Sequence, residues 1–159
     1  MVEVRLIAAI DDKLGIAKKG IIPWDLPSDR KYFREHIKSG PVVMGWKTFA
    51  ANKFKPYGDG ANTVTTRRDT EAIPGVWVAH SARDFFEKNR QDVWAVGGGQ
   101  IFKEALPYAT ELYLTRVSGN YKCDVFFPDF QGDFELIKEY AEKSENGVTF
   151  KYQVWKRTV

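Results

Sequence analysis

One cysteine and two histidines are all that 159 residues offer of the thiol and imidazole side chains. Cys123 has no second cysteine with which to form an internal disulfide, and no activating neighbour in sequence that would make it a nucleophile. His36 and His80 stand in unrelated contexts, which leaves neither a histidine-based triad nor a histidine-rich metal site, and no metal is expected. Ser28, Ser39, Ser81, Ser118 and Ser144 lack the glycine-flanked setting of a hydrolase nucleophile. No apolar stretch approaches the length needed to cross a bilayer. Met1-Val2-Glu3-Val4-Arg5 is not the start of a secretory signal, so cytoplasm is the expected location. Charge of one sign is scarce too: 24 Lys and Arg against 21 Asp and Glu give +3. The cations come in short groups, Lys18-Lys19, Lys53 with Lys55, and Arg67-Arg68, rather than in a stripe. That argues against a nucleic-acid surface and is compatible with a small anionic ligand.

What is plentiful is apolar and aromatic. Hydrophobic residues make up 43% and Phe, Trp and Tyr 14%, enough for one self-supporting domain over residues 1–159. Short, nearly continuous apolar runs at residues 6–10, 42–44, 63–66, 76–79, 93–96 and 112–115 read as strands covered on both faces, the condition of a parallel sheet. Helices are expected over residues 28–38, after Gly45, after the Ser81-x-x-Asp84 capping box, and from Gly99 through Leu106. Near the C-terminus Phe150, Tyr152 and Val154 alternate with Lys151 and Gln153, as in an antiparallel strand whose partner lies in residues 134–140. The predicted fold class is a single-domain α/β protein. Its mostly parallel central sheet has about eight strands, ends in an antiparallel strand, and is flanked by about four helices. Residues 15–23 and 50–61 read as exposed loops, the first hinged by Gly15 and Gly20 and placed to act as a lid.

Two features carry chemistry. In Pro23-Trp24-Asp25-Leu26-Pro27-Ser28-Asp29, a helix starting at Ser28, with its hydroxyl as cap, would put Asp29, Phe33 and Ile37 on one apolar face. A carboxylate there suits a cationic heterocycle or a proton transfer, whereas an ordinary first-turn aspartate would only favour the helix dipole. The second feature is a set of three strand ends. Gly97-Gly98-Gly99 joins an apolar run to a helix, and Met44-Gly45-Trp46-Lys47-Thr48 does the same at another strand. Thr65-Thr66-Arg67-Arg68 adds hydroxyls and guanidiniums at a third. Glycine lets a phosphate approach the backbone at a helix start, and the C-terminal edge of an α/β sheet is where nucleotides bind.

With these motifs in order, the whole chain resembles the dihydrofolate reductases. The resemblance rests on Ile7-Ala8-Ala9, Leu14-Gly15-Ile16, Pro23-Trp24-x-Leu26-Pro27-x-Asp29, Phe33, Pro41-Val42-Val43-Met44-Gly45-x-Lys47-Thr48-Phe49 and Thr66-Arg67. It continues through Val96-Gly97-Gly98-Gly99-x-Ile101-Phe102, Leu112-Tyr113-Leu114-Thr115 and Asp124-x-x-Phe127-Pro128. It implies hydride transfer from NADPH to 7,8-dihydrofolate. A monomer is the default expectation, with a small-molecule substrate and neither nucleic acid nor membrane. Asp29 would grip the pterin and promote protonation at N5, with Trp24 and Thr115 organising water and hydrogen bonds. Ile7, Ala8, Phe33 and Val96 would line the substrate, with Asn52 standing where an apolar residue is expected after the second helix, and Ala9, Gly15, Ile16 and Phe102 the nicotinamide. Gly45, Trp46, Lys47 and Thr48, together with Gly97, Gly98, Gly99, Gln100 and Ile101, would take the pyrophosphate side. Thr66, Arg67 and Arg68 would take the 2′-phosphate.

Departures from the family pattern are local. The arginine that usually precedes the strand near Asn62 and pairs with the glutamate tail of the substrate is missing from Tyr57-Gly58-Asp59-Gly60-Ala61. Arg30 stands where an apolar residue or amide is usual, and it is expected to take over the tail, helped by Lys53 and Lys55. Trp46 stands where a basic residue is common. Two other functions compete with this one: a pterin reductase whose substrate has a different tail, such as dihydromethanopterin, and a nucleotide-binding module without activity.

Overall fold

A computed structural model describes residues 2–68 and 73–158. The chain runs β1 (Val4–Ile10), β2 (Gly15–Ala17), α1 (Pro27–Ile37), β3 (Val42–Gly45), α2 (Trp46–Ala51), β4 (Asn62–Thr65), β5 (Trp77–Ala79) and α3 (Ala82–Lys88). It continues β6 (Val93–Ala95), α4 (Gly99–Ala105), β7 (Glu111–Val117), β8 (Val125–Phe126), β9 (Phe134–Glu139), β10 (Lys143–Glu145) and β11 (Val148–Arg157). The main sheet has the order β10-β11-β7-β1-β6-β3-β4-β5, and β9 also pairs with β11. Pairings from β7 through β5 are parallel, and those of β11 are antiparallel.

The apolar runs become strands because both faces of the sheet are covered. Leu6 and Ile10 enter one buried cluster and their neighbour Ile7 another. Val43 likewise parts from Val42 and Met44. After β6 the chain crosses to β7 on the other side of β1, and the C-terminal ends of the parallel strands β1, β3, β4 and β6 lie together along one edge of the sheet, where α/β proteins bind ligands. Ser81 caps α3 as expected, with the Asp84 amide donating to its Oγ at 3.1 Å, which is one half of the capping box.

Three expectations are corrected. Helix α1 begins at Pro27, with Leu26 as an N-cap that makes no side-chain bond. Ser28 does not cap it, because both its amide and its hydroxyl donate to Glu145, at 3.0 and 2.6 Å. Residues 15–23 are not loop throughout: β2 pairs with β8, and Lys18 bridges to Ile21. The buried Asp11 carboxylate fixes this segment by accepting from the amides of Lys13, Gly15 and Tyr121 at 2.8–2.9 Å. Finally, β10, a short polar strand absent from the sequence reading, adds to β11 ahead of the expected partner β9.

Candidate active site

Asp29 lies in the first turn of α1, and its Oδ1 accepts a hydrogen bond from Thr115 Oγ1 at 2.6 Å. Thr115 is buried on β7, in register with Ala9 of β1 and Tyr152 of β11. Among the described residues no other side chain is hydrogen-bonded to the carboxylate, and its second oxygen is left for a ligand. Burial is the main influence on its pKa and pushes it up. The Thr115 hydroxyl and the Arg30 charge pull it back, and Glu145 pushes it further up. The Tyr152 phenol is pushed up to about 12, by burial first and then by the negative charges of Asp29 and Glu145. Tyr152 stacks on Tyr32 of α1 at 3.9 Å, and Trp24 is buried with its ring edge-on to Tyr121 at 5.2 Å. The acid therefore has apolar walls and one neutral donor, an arrangement that favours a cationic, hydrogen-bonding heterocycle over an anion.

Phe33, one helical turn beyond Asp29, meets Tyr57 edge-on at 5.5 Å. Asn52 does not present a free amide to this region: it ends α2 and donates to the Lys55 carbonyl at 2.7 Å. Arg30 pairs with Asp25 at 2.8 Å, both side chains being exposed (57% and 70%). Two positions of the segment that lacks the tail arginine have no room for a side chain. A Cβ at Gly60 would run into the Gly40 carbonyl, and one at Gly58, whose φ is +60°, would meet the carbonyl oxygens of Lys38 and Ile37 at 2.6 and 2.8 Å. Gly58 thus lies against the end of α1 and Gly60 against the turn that follows it.

At the neighbouring ends of β3 and β6, the Gly45 amide donates to the Gly97 carbonyl at 2.8 Å, which sets the starts of α2 and α4 side by side. Gly45 and Gly98 are their N-caps, and neither helix has a side-chain cap. First-turn amides are thus left for a ligand, and glycine keeps side chains out of their approach. The cradle is built closely. A Cβ on Gly99 would lie 2.7 Å from Val125 Cγ1, and one on Gly15 would strike Cys123 at 2.6 Å. Ile101 and Phe102 are buried in the core, with the Phe102 ring behind Gly97. Gln100 is engaged with Glu104. Thr66 is buried and donates through its amide to the Ala79 carbonyl, whereas Arg67 and Arg68 are exposed at the same strand end. The residues present fit a dinucleotide with a terminal phosphate: an amide-lined cradle, and cations one strand away.

Comparison with known proteins agrees. A dihydrofolate reductase family model matches residues 3–157. The chain belongs to the dihydrofolate reductase family. Its activity is the reduction of dihydrofolate to tetrahydrofolate. It is 32% identical to the dihydrofolate reductase of Gallus gallus over 180 residues, covering 96% of this chain and 95% of that protein. Identity is 29% with the Aedes albopictus enzyme, covering 99% and 98%. Among solved structures, a dihydrofolate reductase from Enterococcus faecalis, complexed with NADP(H) and RAB-propyl, superposes with a TM-score of 0.86. It is 26% identical, covering 99% of this chain and 97% of that one.

The motif residues are brought together in two groups, Asp29, Trp24 and Thr115 on one side and the glycine turns with Thr66 and its arginines on the other. Asp11 and Glu145 were not legible as participants. An Asp-Asp-Lys turn signal marks the first, but nothing local marks the second, because its partner lies 117 residues away. No helix among the described residues is long and apolar enough to cross a membrane.

Proposed function

We propose that Asp29 is the residue through which this reductase holds the pterin of 7,8-dihydrofolate and favours protonation at N5. The observation that carries this reading is the half-buried carboxylate with Thr115 on one oxygen and the other open. NADPH, when bound across the two glycine turns, supplies the hydride. The chain's own residues do the rest. Ile7, Ala8 and Val96 offer backbone to the pterin edge, Phe33 its ring face, and Trp24 closes the water-side wall. Ala9, Gly15 and Ile16 enclose the nicotinamide, while Gly45, Lys47, Thr48 and the Gly97-to-Gln100 turn hold the pyrophosphate. Thr66, Arg67 and Arg68 take the 2′-phosphate. The enzyme works as a cytoplasmic monomer on a small-molecule substrate, without nucleic acid.

Substituting Asp29→Asn keeps the shape but removes the charge that stabilises a protonated pterin in a poorly solvated site. Dihydrofolate-dependent oxidation of NADPH near neutral pH should fall by at least about a hundredfold, the scale of lost acid catalysis. NADPH binding measured by fluorescence should stay nearly intact. Activity within a few-fold of wild type would remove Asp29 from its role.

Arg30 takes the glutamate tail by exchanging partners. Its pair with Asp25 is exposed, and such pairs are worth roughly 0–1 kcal/mol, so a substrate carboxylate competes at little cost. Arg30→Ala should raise KM for dihydrofolate more than for a pterin truncated before the glutamate, with kcat little changed. If the wild-type enzyme uses the truncated pterin equally well, the closed backbone at Gly58 and Gly60 belongs instead to a reductase for pterins with another tail.

A further inference from the structure

The register Gly45↔Thr65 sets Trp46, the first residue of α2, beside Thr66 at the shared end of β3 and β4. On one side the Trp46 indole is anchored by aromatic contacts. Phe54 lies 5.7 Å away and Phe49, fully buried, 6.3 Å away, and those two rings meet each other edge-on at 5.6 Å. Over the indole lies Arg68, its guanidinium carbon 4.9 Å from the ring centroid, well inside the range of a cation–π contact. The Arg68 backbone is held as well. Its amide donates to Thr66 Oγ1 at 3.1 Å, the Thr66 amide donates to the Ala79 carbonyl at 2.9 Å, and His80 Nδ1 meets the Thr66 carbonyl at 3.1 Å.

An exposed arginine ordinarily samples many rotamers and must give them up on binding an anion. Arg68 is tied at both ends, main chain to Thr66 and guanidinium to Trp46. Stacking uses the flat face of the guanidinium and leaves the in-plane N–H groups for hydrogen bonds, the geometry that suits a phosphate monoester. A tryptophan at this position could not contact a phosphate by charge. It can hold the charge that does.

We propose that Trp46 is a positioning residue for Arg68, and that the stacked pair, alongside Arg67, sets the preference for a cofactor bearing a 2′-phosphate. This rests on the reading that Thr66, Arg67 and Arg68 receive that phosphate. The enzyme's selectivity thus depends on an aromatic face as well as on cations.

The test is calorimetric binding of adenosine 2′,5′-bisphosphate and of adenosine 5′-monophosphate to the whole enzyme, with the NADPH-to-NADH ratio of kcat/KM measured in parallel. Wild type should favour the bisphosphate strongly; equal affinities would overturn the phosphate site itself. Given that preference, Arg68→Ala should reduce the affinity ratio, and Trp46→Leu should reduce it by about fivefold, the order expected for loss of an exposed cation–π contact. The double variant should fall no further than Arg68→Ala, because Trp46 acts only through Arg68. Trp46→Phe keeps a smaller aromatic face on the same anchor and should lie between wild type and Arg68→Ala, which decides the matter if the leucine variant does not fold. An affinity ratio unchanged from wild type in either Trp46 variant, or independent additive losses in the double variant, overturns the role of Trp46 while leaving the phosphate site standing.

Discussion

In the role proposed for it, Asp29 would set catalysis against stability at the scale of one residue. Its pKa is raised on folding, so between the ordinary aspartate value and the raised one the native state binds more protons than the unfolded chain. Stability from this group therefore falls as pH rises through that window, and above it the full cost of holding the half-buried charge is present. Well below the ordinary aspartate value, where the carboxyl is protonated in both states, the cost is gone. Asp29→Asn should raise Tm at pH 7 by a few degrees, about 2–4 °C for each kcal/mol in a chain of this size, and the gain should shrink towards zero as pH is lowered past 4. Thermal melts of the two proteins across pH check this, and a gain that grows on acidification would contradict the burial argument. The same variant is expected to be the less active one, and on the proposed role that loss of activity is what retains the charge.

At the scale of elements, α1 depends on a contact that no local pattern announces. Its N-terminal side is held by Glu145 on Ser28 and by Asn146, whose side-chain amide donates to Asp25 O at 3.1 Å, so the turn between β10 and β11 fixes the start of the helix that carries Asp29. Glu145 keeps its pKa low through those Ser28 bonds. The latch is present above the ordinary glutamate range and is lost as pH falls through the lowered value. Glu145→Ala should make the Ser28 amide exchange several-fold faster with solvent and reduce kcat/KM for dihydrofolate by a similar factor, leaving exchange in β3 and β4 unchanged. Unaltered exchange at Ser28 would show that Pro27 at the first helical position suffices to start α1. What was legible in the sequence follows the same division. The apolar runs of β1, β3 and β6 announce themselves because both faces are covered, and Ser81 caps α3 because its partner Asp84 is three residues away. Three-residue β2 and β10 and two-residue β8 carry little pattern of their own and exist through their partners. Ser28 looked like a cap because its true acceptor is distant in the chain. Asp29 and the glycine turns were readable because their chemistry is concentrated in short motifs, whereas the occupation of Arg30 by Asp25, the closed backbone at Gly60 and the stacking of Arg68 on Trp46 are facts of packing.

For the whole molecule, the parallel core and its antiparallel completion act as one unit, because the last strand is internal. β11 bonds to β7 along one edge, with seven residues in register from Phe150↔Val117 to Lys156↔Glu111, and to β10 and β9 along the other. Phe150, Tyr152 and Val154 are buried by it. At about 1.5–3 kcal/mol for each such side chain, their loss alone approaches the whole stability of an average domain, roughly 5–15 kcal/mol, before the exposed edge of β7 is counted. The candidate site is joined to this edge, since Thr115 sits opposite Tyr152 and holds Asp29 from there. We expect a chain ending at residue 147 to fail as a unit. Circular dichroism should show lost sheet content, and neither NADPH nor an antifolate should raise its melting temperature, although every residue assigned to the cofactor is still present. A truncated chain that melts cooperatively and is stabilised by NADPH would show that residues 1–147 form a separate nucleotide-binding unit, with β11 only an addition to its edge.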